Sequence, residues 1–213
     1  RHIKTANAAA FCAALLSVLS LPAWSLIEST EAERDTIVEM IEQLQERHYS
    51  GLAYGDDLSS QHLDNYIKSL DSGRMFFTTA DIAEFEQYRS VMDDQLREGK
   101  LDSGFAIFNR YHQRLQERLD NLIKTLPEAV VAMDFTVDES VPLDVEDRAW
   151  AKDQVELDDR WRKQLKNQVL SLKLADKPKD EIVPTLRKRY TSQLNSVKQY
   201  NSQDVFQIYA NAL

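Results

Sequence analysis

The sequence predicts an all-α fold, an irregular bundle of about seven helices with one extended loop or short strand pair near residues 130–149. Apolar residues recur in steps of three or four over most of the chain, the period of a helix with one buried face. Glycine is scarce. All five glycines, Gly51, Gly55, Gly73, Gly99 and Gly104, fall in the first half of the chain, where they punctuate turns.

The first helix is expected over Glu31–Tyr49, with Ile37, Met40, Ile41 and Leu44 on its buried face and Thr30-x-x-Glu33 as a capping box. Gly51 and Gly55 then mark a loop. Ser59 is positioned to cap a shorter helix carrying Leu63, Tyr66, Ile67 and Leu70, which Gly73 ends. Phe76-Phe77 and Thr78-Thr79 lead into a third helix marked by Ile82, Phe85, Met92 and Leu96 and closed by Gly99. The longest pattern runs from Ser103 to Leu126 through Phe105, Phe108, Tyr111, Leu115, Leu119 and Leu122, about 36 Å of helix at 1.5 Å per residue.

Pro127 and Pro142 bracket a break in that pattern, with Met133-Asp134-Phe135-Thr136-Val137 reading as extended chain. Helical spacing returns at Leu157, Trp161, Leu165 and Leu172. It resumes after Lys177-Pro178 with Ile182, Leu186, Tyr190, Leu194 and Val197, where Pro184 is expected to kink the helix for want of an N–H. A last helix begins near Ser202 and carries Val205, Phe206 and Tyr209. Trp150 and Trp161 read as core anchors. No repeat of fixed period is present, which argues against a solenoid.

The chain has 213 residues, 43% of them hydrophobic and 29% charged, with a formal charge of −9. That balance suits a globular body of one or two domains. An acidic surface repels phosphate backbones, so nucleic acid is excluded as a partner. The run Arg187-Lys188-Arg189 reads as a solvated helix face. The glycines spell neither GxGxxG nor GxxxxGK, which removes the common nucleotide cradles.

Residues 1–25 have the layout of a secretory signal peptide. Arg1, His2 and Lys4 precede an apolar stretch from Ala8 to Leu21, and Ala23-x-Ser25 suggests a cut before Leu26. The stretch is shorter than the roughly 20 residues that span a bilayer core, so no stable membrane span is expected after cleavage. Cys12 lacks a lipoprotein context and leaves with the signal, so the mature product has no disulfide and no thiol nucleophile. Loss of Arg1 and Lys4, with no acid among the first 25 residues, moves the charge from −9 to −11. The sequence begins without Met and ends inside a helical pattern. The expectation is a piece of a longer protein, with a helical domain over residues 26–213.

His48, His62 and His112 have no metal-binding neighbour at helical spacing, which argues against a helical metalloenzyme. Asp134-x-Thr136-x-Asp138-x-Ser140 has the opening spacing of a calcium loop, but Glu139 stands where Gly is needed and Val145 where the bidentate Glu belongs. A hydrogen-bonded loop is the better reading. Carboxylate pairs such as Glu42/Glu46 and Asp93/Asp94 read as solvated faces, and no GxSxG elbow occurs. No residue is assigned a catalytic, cofactor-binding or metal-binding role, and no cofactor is expected.

Five stretches, in this order, resemble one family. They are Gly99-Lys100-Leu101-Asp102 before the long Phe/Tyr/Arg helix; Met133-Asp134-Phe135-Thr136; Leu157 to Trp161 with Leu170-Ser171-Leu172-Lys173-Leu174; Leu186 to Tyr190; and Ser202-Gln203-Asp204-Val205-Phe206. The chain is similar to the helical region that precedes the catalytic part of the tail-specific, or C-terminal processing, proteases of the Gram-negative periplasm. That resemblance implies a serine endopeptidase with a Ser/Lys pair and a PDZ domain that reads substrate C-termini. In the family those parts follow an Asp-Pro-His-Thr stretch, and none of them lies within these residues. It further implies that this region packs around its own PDZ and protease domains, gates entry and offers a docking surface for an adaptor lipoprotein, with periplasmic and envelope proteins as substrates. A free-standing periplasmic helical binding protein is the alternative, distinguished by a stop codon after Leu213.

Overall fold

The computed structural model describes residues 26–47, 55–142, 145 and 148–213. Residues 1–25, the expected signal peptide with Cys12, and His48 lie outside the described residues. Eight α-helices occur among those described: α1 (Glu31–Arg47), α2 (Asp56–Leu70), α3 (Thr79–Phe85), α4 (Met92–Arg97), α5 (Asp102–Val131), α6 (Gln154–Leu174), α7 (Lys179–Val197) and α8 (Ser202–Ala210). The fold is all-α, and among the described residues a single isolated bridge, Thr78 to Ala151, lies outside the helices.

Helix α1 starts at the capping box read from the sequence. The Thr30 N–H donates to Glu33 Oε2 at 2.7 Å and the Glu33 N–H to Thr30 Oγ1 at 3.3 Å, so two of the unpaired first-turn donors are satisfied reciprocally. Ile37 and Ile41 are buried, whereas Leu44 is exposed.

Ser59 does not cap α2, which begins earlier, behind Gly55. It lies buried inside the helix, and its Oγ accepts the N–H of Met92, the first residue of α4, at 3.1 Å. That cross-helix cap is one reason the single third helix expected from the sequence is two. A second is Arg89, in the linker after the 3₁₀ turn Glu86–Tyr88, which bonds back to Ser60 and Asp64 of α2. Gly99 closes α4 with φ of 70°. Lys100 N–H reaches Gln95 O at 2.7 Å and Gly99 N–H reaches Leu96 O at 3.1 Å, the paired bonds of a Schellman motif.

Helix α5 is 30 residues long, about 45 Å, and it runs through Pro127, where the sequence pattern predicts its end. Proline removes the donor that Ile123 O would receive. Arg187 of α7 supplies one instead, its Nη1 donating to Ile123 O at 3.0 Å. Helix α7 likewise runs without interruption across Pro184.

Two apolar clusters share α5. The first gathers Ile37 and Ile41 of α1, Leu63 and Tyr66 of α2, Met92 and Leu96 of α4, Phe105 and Phe108 of α5, and Val205 and Tyr209 of α8. The second joins Leu115, Leu119, Leu122 and Leu126 of α5 to Trp161 and Leu165 of α6 and to Leu186, Tyr190 and Leu194 of α7. Tyr111 and Tyr200 pack against both. The closest approach is at Gly104, where an added Cβ would sit 2.7 Å from the Tyr209 ring. Tyr209 is fully buried and cannot step aside.

Gly104→Ala is therefore expected to destabilise the fold by about 1–2 kcal/mol, the overpacking cost outweighing the helix-propensity gain. A lowered urea midpoint at unchanged slope checks it.

Candidate functional site

The turn after α2 decides how the two clusters are joined. Leu70 ends the helix, and the buried Asp71 carboxylate accepts from the N–H groups of Met75, Phe76 and Phe77 at 2.8–2.9 Å. Those bonds wrap the chain so that Phe77 enters the first cluster while Met75 and Phe76 pack on the second. Burial pushes the Asp71 carboxyl above the usual range, opposed by the three amides and by Arg160. Arg160 donates to Arg74 O at 2.7 Å, and the Trp161 indole N–H to Met75 O at 2.8 Å. Sequence reasoning passed over Asp71. Its signal was local: an Asp directly after a helical face, followed by Ser-Gly.

Each histidine within the described residues is spent on a carbonyl. His62 is fully buried, and its Nε2–H donates to Tyr209 O at 2.8 Å, which leaves Nδ1 as the bare nitrogen with no partner. Its ring stacks on Tyr209 at 4.5 Å, and Asn65 donates to Ala212 O at 3.1 Å. Two side chains of α2 thus cap the end of α8. Burial drives the His62 pKa down from 6.5 to about 4, the Tyr209 carbonyl pulling the other way. His112 Nε2 donates to Val197 O at 2.8 Å and holds the end of α7.

Asp81 has the same character. It closes the Thr78 capping box and meets Arg110 and Arg114, both at 2.7 Å. Burial opposes its charge, but the hydrogen bonds from Thr78 and Arg114 prevail and hold its carboxyl below the usual range. Trp161 is buried and Trp150 half-buried against Phe77, the anchoring role read from the sequence.

The loop after α5 carries the suspected calcium spacing. Asp134 Oδ1 accepts both the N–H and the hydroxyl of Thr136, at 2.8 and 2.7 Å, a hydrogen-bonded turn. Beyond it the loop crosses α6. Glu139 pairs with Lys166 at 2.5 Å and with Arg162, and those two partners, Arg162 first, bring its pKa from 4.5 to about 2. Lys173 sits 3.6 Å above the Phe135 ring. Beside this loop, between α5 and α6, a groove of about 430 Å³ is lined by Leu122, Ala129, Met133, Val137, Trp161 and Leu165. No local pattern announced it, because its walls come from three separated segments.

The family model of the tail specific protease N-terminal domain matches residues 40–213. The chain belongs to that family. A tail-specific protease of Haemophilus influenzae is 31% identical to it over 197 residues, which cover 92% of this chain and 27% of that relative. The chain therefore spans about a quarter of that relative's length. No described helix is long and apolar enough to cross a membrane.

Two outcomes follow for this tail-specific protease domain. Between about pH 6.5 and 4 the unfolded chain binds a proton at His62 that the folded chain resists, so stability falls as pH is lowered through that window, by about 3 kcal/mol at most. Urea midpoints measured from pH 7 to 4.5 fall more steeply for the parent than for His62→Gln. Asp71→Ala strands three amide donors and costs about 3 kcal/mol, while Asp71→Asn, which keeps one acceptor oxygen, lies between; thermal melts at pH 7 order the three.

Proposed function

We propose that this chain is the non-catalytic helical domain of an exported tail-specific serine endopeptidase, one that processes or degrades periplasmic and envelope proteins from their C-termini. Family membership over residues 40–213 carries the reading, together with the fraction of the relative's length that the chain spans. In this reading residues 1–25 are a signal peptide, residues 26–213 are one domain, and a PDZ domain and a Ser/Lys core belong to the same polypeptide. The domain scaffolds those parts, limits which chains enter and receives an adaptor lipoprotein in the periplasm.

The use of the buried polar groups supports a scaffolding role. Asp71, His62, His112 and Asp81 each hold backbone or neighbouring helices in place. Such groups rigidify a body, since each would be costly to leave unpaired.

Residues 26–213 expressed alone are expected to give a helical spectrum and to leave a C-terminally tagged unfolded reporter intact, while the intact parent protein cleaves it. Cleavage by the isolated residues would contradict the assignment.

A further inference from the structure

Helix α8 is fastened at its C-terminal end by side chains of α2. The His62 Nε2–H donates to Tyr209 O at 2.8 Å and Asn65 Nδ2 to Ala212 O at 3.1 Å, so carbonyls that a helix end leaves over are taken up by another helix. The Tyr209 side chain is locked as well. Its ring stacks on His62, meets Tyr66 edge-on at 4.9 Å and presses on Gly104, and its hydroxyl lies 3.3 Å from Ser103 Oγ. With nine residues, α8 is shorter than the roughly 12–15 at which an isolated helix becomes marginal. It is helical because it is docked, and undocking melts it. Within the described chain only the 198–201 turn joins it to the other helices.

His62 makes this docking sensitive to a proton. With Nε2–H committed to Tyr209 O, a proton can enter only at Nδ1, which is buried with no partner. A second N–H there has no acceptor, and a buried charge without one is costly. The ionisable side chains against the ring are Tyr66 on its own helix and Tyr209 on α8. Burial raises both phenols, so they stay neutral as pH falls. The α5 residues that meet Tyr209, Ser103 and Gly104, carry no charge. Neither a carboxylate nor a cation of the packed elements acts on His62, and burial outweighs the Tyr209 carbonyl. The proton is therefore accepted when α8 leaves and water reaches the ring.

We propose that the α2–α8 contact is an acid-sensitive clasp, in which a proton taken up at His62 Nδ1 frees α8 while the other helices stay folded. The clasp is fully closed above about pH 6.5, where His62 is neutral whether α8 is docked or not. It weakens as pH falls from there toward 4, because the proton binds the open form and not the closed one. Release uncovers the Tyr66 ring and the Gly104 surface on which Tyr209 packs. The device does not depend on the protease reading, and its test measures no cleavage, so either can fail while the other stands.

Native-state hydrogen exchange of the intact protein in low urea, corrected for the intrinsic rate at each pH, reads the clasp directly. At pH 5 the α8 amides of Val205–Tyr209 are expected to exchange through an opening with a smaller urea slope than the slowest amides of α5 and α7, the mark of local release. Its equilibrium constant is expected to rise about twentyfold from pH 7 to pH 5, the linkage of a site at 6.5 when open and about 4 when closed. In His62→Gln, whose amide can still donate to Tyr209 O but does not titrate, the rise is expected to vanish. Three results overturn the proposal: α8 amides that follow the global isotherm at both pH values, a local opening unchanged between them, or an undiminished rise in His62→Gln. If that variant loses its helical spectrum, the first two decide on the unaltered protein.

Discussion

Helix α5 serves two cores at once, and everything else in the structure is arranged around that fact. Its first half presents Phe105 and Phe108 to one cluster and its second half presents Leu115, Leu119, Leu122 and Leu126 to another. A helix about 45 Å long cannot bury its whole apolar stripe against one small cluster of partners. The remaining helices divide between its two ends. Two of the places where the chain passes between them, the 71–77 turn and the α7–α8 turn, are each tied by a buried polar group. Asp71 holds the first, while His112 reaches from α5 to Val197 O at the second, beside Tyr200.

This arrangement explains where the acidic, histidine-bearing sequence puts its titratable groups. A buried carboxylate or imidazole is costly unless it is paired. Here the partners are backbone groups at helix ends and turns, where donors and acceptors are left over by the helices themselves. Side chains that could take part in a reaction serve geometry instead, in keeping with the scaffolding role proposed above.

Most of the helical layout was legible because its cause is local. The three-to-four spacing from Phe105 to Leu126, the Thr30/Glu33 box and the Gly99 stop each depend on residues a few positions apart. The departures depend on partners far along the chain. Helix α5 continues through Pro127 because Arg187, 60 positions later, replaces the missing donor. The third helix divides because Ser59 and Asp64 of α2 draw on Met92 and Arg89. The loop near 130–149 was readable as irregular chain, but its fastening to α6 through Glu139, Arg162 and Lys166 was not.

If α5 couples the two cores, they unfold as one unit. Native-state hydrogen exchange across increasing urea tests this directly, since amides that open only in global unfolding share one free energy. The slowest amides of Phe105–Phe108 and of Leu115–Leu126 are expected to merge onto the same unfolding isotherm. Two separate isotherms, with the α6–α7 end opening while the α1–α4 end stays closed, would contradict it.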